Sequence, residues 1–120
     1  MEFNNIDWQD SVIKNVKIDR SNPGINDVIE FEIEWEDGEN GSLFFEEVYW
    51  AKFDLNFGII SSETILDASS LEADDEDLLN LYMNWKGLID NIKLTAYLIN
   101  LNSTGGWIKI IAKAFKVIKI

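Results

Sequence analysis

The chain has 120 residues, 22 of them acidic and 10 basic, for a net charge of −12, and it contains no histidine and no cysteine. That length suits one domain spanning 1–120, since two cores of half the size would each be too small to stand without staples. The composition excludes a Ser-His-Asp triad, a thiolate nucleophile, disulfides and thiolate metal sites. The acidity sets the chain against nucleic acid and anionic lipid as partners.

Val12, Val16 and Ile18 share one parity and Asn15, Lys17 and Asp19 the other, which predicts a half-buried strand over 12–20. Ser21-Asn22-Pro23-Gly24 is a turn cluster holding the only proline. Residues 28–36 alternate most cleanly, with Ile29, Phe31, Ile33 and Trp35 on one side and Glu30, Glu32, Glu34 and Glu36 on the other. A hairpin loop, Asp37-Gly38-Glu39-Asn40-Gly41, leads to a third strand from Ser42. There Phe44, Val48 and Trp50 fall out of phase with Phe45, Tyr49, Phe53 and Leu55, which predicts a bulge near Glu46-Glu47.

Thr64-Ile65-Leu66 reads as a further short strand. Asp74 is placed as a helix N-cap, with Leu78, Tyr82, Trp85 and Ile89 at helical spacing and Gly87 positioned to end the helix. The last 30 residues predict a hairpin around Asn102-Ser103-Thr104-Gly105-Gly106, its return strand apolar on both parities, as for a central strand or one with a second bulge. The expected fold is therefore α+β and mainly antiparallel β: a curved sheet or two-sheet sandwich, one helix near residues 74–86 and a C-terminal hairpin.

Charge is unevenly spread: residues 27–77 hold 17 acids and one base, Lys52, while residues 78–120 hold six lysines and one acid, Asp90. The acidic run Asp74-Asp75-Glu76-Asp77 lacks the oxygen spacing and interior glycine of a calcium loop and is better explained as a complement to a helix dipole. Ser103-Thr104-Gly105-Gly106 lacks the lysine and following helix of a phosphate loop. No metal or cofactor site is expected. The row Glu30, Glu32, Glu34, Glu36 is costly unless something offsets its like charges. Either Lys109, Lys113 and Lys116 of the last strand answer it internally, or it stays open to a basic partner.

The entry Ile6-Asp7-Trp8-Gln9-Asp10-Ser11, followed by Val12 through Ile18-Asp19-Arg20, resembles small bacterial immunity proteins of polymorphic toxin systems and the related YxiG-like proteins. Val28 to Trp35, the turn Asp37-Gly38 and Leu43-Phe44-Phe45-Glu46-Glu47-Val48 extend the likeness over roughly the first half of the chain. Gln9 stands where that pattern usually has histidine, so no histidine role carries over. The resemblance implies a cytoplasmic, non-enzymatic protein that neutralises a cognate toxin. With the charge pattern it points to a basic toxin domain as partner, docked on Glu30, Glu32, Glu34, Glu36 and Asp37 with Trp35 and Trp50 as exposed aromatic anchors. A self-associating accessory domain, pairing as a homodimer through a free strand edge, is the alternative. A carboxylate-dependent glycoside hydrolase, marked by a cleft with two converging carboxyl groups, is the third reading.

Overall fold

The computed structural model of the chain describes residues 2–120. After a short 3-10 helix, Phe3–Asn5, the elements run β1 Val12–Asn22, β2 Asn26–Glu34, β3 Asn40–Asp54, β4 Ile65–Ser70, α1 Glu76–Asn84, β5 Thr95–Leu101 and β6 Trp107–Lys119. The strands form one antiparallel sheet in the order β1-β2-β3-β6-β5-β4. Of the two arrangements expected from sequence, this is the curved single sheet. No helix among the described residues is long and apolar enough to cross a membrane.

The sheet curls until its outer strands touch at one end. Val12 bridges Thr64, the Ile13 N–H donates to the Glu63 carbonyl at 2.9 Å, and the Ile65 N–H donates to the Ser11 carbonyl at 2.8 Å. The segment from Trp8 to Ile13 builds this seam. Asp10 takes a left-handed φ of 65° and donates its N–H to the Ile65 carbonyl, Ser11 is fully buried, and Trp8 Nε1–H donates to the Phe3 carbonyl at 2.9 Å.

Curling gives the sheet an inner core and an outer one. Inside, Phe31, Ile33, Leu43, Phe45, Ile99, Ile108 and Ile110 are sealed from solvent. Phe3 plugs this space, its ring 4.8 to 5.0 Å from those of Trp8, Tyr97 and Phe115. Outside, α1 lays Leu78 and Leu81 over Leu94, Ala96 and Ile111. Full burial of each large apolar side chain is worth about 1.5 to 3 kcal/mol, so both faces of β5 and β6 contribute to the core. This explains why β6 is apolar on both parities: it lies between β3 and β5.

Two local details follow the sequence closely. The N-cap falls one residue later than Asp74, at Asp75, whose Oδ2 accepts the Leu78 N–H at 3.1 Å. In β3 the phase changes where expected: Glu47 adopts φ 50°, and the pairing with β6 slips between Val48 and Trp50. A third follows from close packing at Gly41, where a Cβ would collide with the Ile118 carbonyl and lie 2.8 Å from Trp35 Cζ3.

Candidate functional site

Glu30, Glu32 and Glu34 of β2, and Glu36 just beyond it, do face away from the inner core, but they are not an open row. Lys17 Nζ meets Glu32 at 2.7 Å, Lys14 meets Glu34 at 3.7 Å, and the Ser42 hydroxyl donates to Glu30 at 2.8 Å. The Lys17 contact holds Glu32 below the usual carboxylate range and, reciprocally, lifts Lys17. Of the four, Glu36 alone is exposed with no side-chain hydrogen bond or ion pair among the described residues.

Of the two alternatives for that row, pairing with the C-terminal lysines does not occur, because β6 pairs with β3 and not with β2. Lys113 and Lys116 instead approach Glu47 at 3.5 Å and Glu46 at 3.6 Å, and Lys119 approaches Glu39 at 3.4 Å and Asp37 at 3.9 Å. Lys109 turns to the outer face and is clamped between the helix carboxylates Asp75, at 2.8 Å, and Asp77, at 2.6 Å. Burial, the largest single influence on Lys109, lowers its pKa, and the two carboxylates together outweigh it and hold the ammonium above the ordinary lysine value. Within the run Asp74-Asp75-Glu76-Asp77, Asp75 thus caps the helix, and Asp75 and Asp77 tie it to the sheet.

Trp35 corrects an expectation. It is only 4% exposed, held between the inner core and Gly41 with Lys119 Nζ 5.0 Å from its ring centroid, and so it cannot serve as an exposed anchor. Its edge, with Glu36, Asp37, Asp7, Ile6 and Lys119, lines a small recess of about 300 Å³. Three of the residues singled out from sequence therefore share one place, at the end of the molecule where β2 turns into β3.

A larger groove, about 600 Å³, lies where sequence reasoning did not look, and of the seven residues singled out only Trp50 lines it. β2 and β3 are hydrogen-bonded from Glu34 and Asn40 as far as Ile29 and Phe45, and there their pairing ends. Beyond that point β1 and β2 continue as one ribbon while β3 continues with β6 as another. The groove occupies the fork between the ribbons. Ile18, Ile25 and Val28 form one wall, Val48, Trp50 and Phe53 the other, and Trp85 from the end of α1 borders it. Ile18, Ile25 and Trp85 stand 59%, 73% and 41% exposed, an apolar lining that a free-standing surface rarely presents together.

The groove carries charge as well. Asp27 accepts from the Gly24 N–H and from Arg20 Nε, both at 2.9 Å, and these contacts hold its carboxyl below the usual range. Asp19 is lowered by the Ser21 hydroxyl and N–H. Glu47 stands at the opposite wall, half exposed and 3.5 Å from Lys113. Arg20 is the only basic residue among the groove's lining. No family model, curated protein or solved structure matches the chain.

Proposed function

We propose that this chain is a non-catalytic binding protein of the immunity type, which captures a basic partner protein in the cytoplasm through the groove between its two ribbons. The carrying observation is the pairing of an apolar, aromatic-bordered groove with ionised carboxylates on a chain of net charge −12. Seven of the ten bases are already in ion pairs with the chain's own acids, which leaves Glu36, Asp54, Glu72, Asp74, Glu76 and other carboxylates free of cationic partners among the described residues. Such a field accelerates encounter with a cationic protein and repels acidic ones, while the apolar lining supplies the contact energy that charge alone does not.

The resemblance of the N-terminal half to immunity proteins makes the partner a toxin domain. Hydrolysis of a glycoside is less well supported, because a general acid needs a raised pKa and both perturbed carboxylates of the groove, Asp19 and Asp27, are lowered. A homodimer through the unpaired edge of β3 is favoured by that same edge and opposed by the net charge of −12.

The test is co-expression with the toxin-like protein encoded beside this chain in its source genome. The proposal expects growth to be restored and an equimolar complex to form, weakening as salt is raised. A genomic neighbourhood without such a gene, or unrelieved killing with no complex at low salt, contradicts it.

A further inference from the structure

The fork exposes more than side chains. From Val48 to Asp54 β3 is hydrogen-bonded to β6 on one side alone, since its pairing with β2 stops at Phe45. No backbone hydrogen bond from any turn or loop reaches this stretch among the described residues. Ala51 and Lys52, in the middle of it, are exposed. Across the groove, Asn26 to Val28 of β2 are likewise bonded on the β1 side only. An unpaired edge of this length is a template for another strand, and most proteins cover or charge such edges. Here it is bordered by apolar side chains of both faces: Val48 and Phe53 belong to the inner core, Trp50 to the outer cluster beside the helix.

We infer that the groove binds an extended segment of a basic partner as an added strand on the free edge of β3, alternating apolar with cationic residues. This rests on the proposed reading of the chain as a receptor for a basic protein, and deepens it by naming the mode. Backbone hydrogen bonds to Val48–Asp54 supply orientation. Alternate side chains of the segment fall to opposite faces of the extended sheet, one set against Ile18, Val28 and Phe53 and the other beside Trp50 and Trp85. Charge complementarity selects the occupant: Asp19 has no cation paired with it among the described residues, Glu47 on the opposite wall shares only the half-exposed Lys113, and Arg20 is engaged by Asp27. A second copy of this chain would bring another net charge of −12 to the same place.

The experiment uses the full chain, labelled with nitrogen-15, and a synthetic nine-residue peptide of alternating valine and lysine. Three control peptides accompany it: one alternating valine and glutamate, one N-methylated at alternate residues, and one with the lysines gathered at one end. Expected results are binding of the alternating valine-lysine peptide, slowed hydrogen exchange at alternate amides between Val48 and Asp54, and no binding of the glutamate peptide. Loss of three backbone hydrogen bonds by N-methylation should weaken binding about ten-fold or more. Asp19→Lys combined with Glu47→Lys should weaken it without altering the chain's own thermal unfolding by more than a few degrees. Equal binding of the methylated peptide, or protection elsewhere than at β3, overturns strand addition while leaving capture of a basic partner standing. Failure of every cationic peptide to bind overturns both. A dilution-stable dimer in which Val48–Asp54 is protected without peptide overturns the inference in favour of a second copy.

Discussion

The two halves of β3 are made of similar residues and have different surroundings. From Asn40 to Phe45 the strand lies between β2 and β6, and Leu43 and Phe45 are sealed in the inner core. From Val48 to Asp54 it keeps β6 but loses β2, and Phe53 is left half-buried at the wall of a groove. The break falls at Glu47, which takes a left-handed backbone. A strand can thus be core at one end and binding edge at the other although the edge half is no poorer in apolar residues, because the difference lies in what its neighbours do.

The sharpest way to separate the halves is to remove the same side chain from each. Phe45→Ala should cost about 3 to 5 kcal/mol, as for a fully enclosed phenylalanine, and Phe53→Ala only about 1 to 2 kcal/mol. Chemical denaturation of the two variants measures the contrast, and equal losses would mean that the groove wall is as enclosed as the core.

Next in size is the clamp that anchors α1 behind the groove. Lys109→Met leaves Asp75 and Asp77 facing each other without their cation, and with Asp77 partly solvated the loss should be about 2 kcal/mol. Because the folded pKa of Lys109 is raised, its contribution is complete below the ordinary lysine value of 10.5 and disappears as pH climbs through the folded value. Unfolding free energies of the two proteins should therefore run parallel at neutral pH and converge in strong alkali.

At the break itself, Glu47→Gly and Glu47→Val should act in opposite senses. A β-branched residue at φ 50° is strained by about 1 to 2 kcal/mol, whereas glycine adopts that backbone freely and should leave stability unchanged or slightly raised. Thermal melts of the pair decide this, and a tolerated valine would argue against a left-handed Glu47. The smallest effect belongs to the outer ladder. Lys17→Ala removes an exposed partner of Glu32 and should shift the melting temperature only slightly. Its signature is in acid: the depressed Glu32 contributes above its ordinary value of 4.5 and loses that contribution as pH falls, so the variant should show less loss between neutral and acid pH.

What was legible in the sequence was whatever a short window determines. The alternation of 28–36, the capped helix, the C-terminal hairpin and the phase change in β3 all depend on neighbours within a few residues, and all are present. Strand order is not such a property. The pairing of β6 with β3 sends Lys113 and Lys116 to Glu47 and Glu46, and it leaves the glutamates of β2 to Lys14 and Lys17 across a hairpin. Trp35 was expected as an exposed anchor, but Gly41 on the facing strand makes room to bury it. The groove arises where two ribbons diverge, and no pattern along either ribbon announces it; the one local trace was the out-of-phase Trp50.

The central claim is that β3 has a free edge beyond Phe45. Residue-resolved amide hydrogen exchange of the unliganded protein tests it most directly. Every amide from Ser42 to Phe45 should be protected, and between Val48 and Asp54 protection should alternate, with amides bonded to β6 slow and those facing the groove fast. Uniform protection along the whole strand would contradict it, because the fork would then be closed.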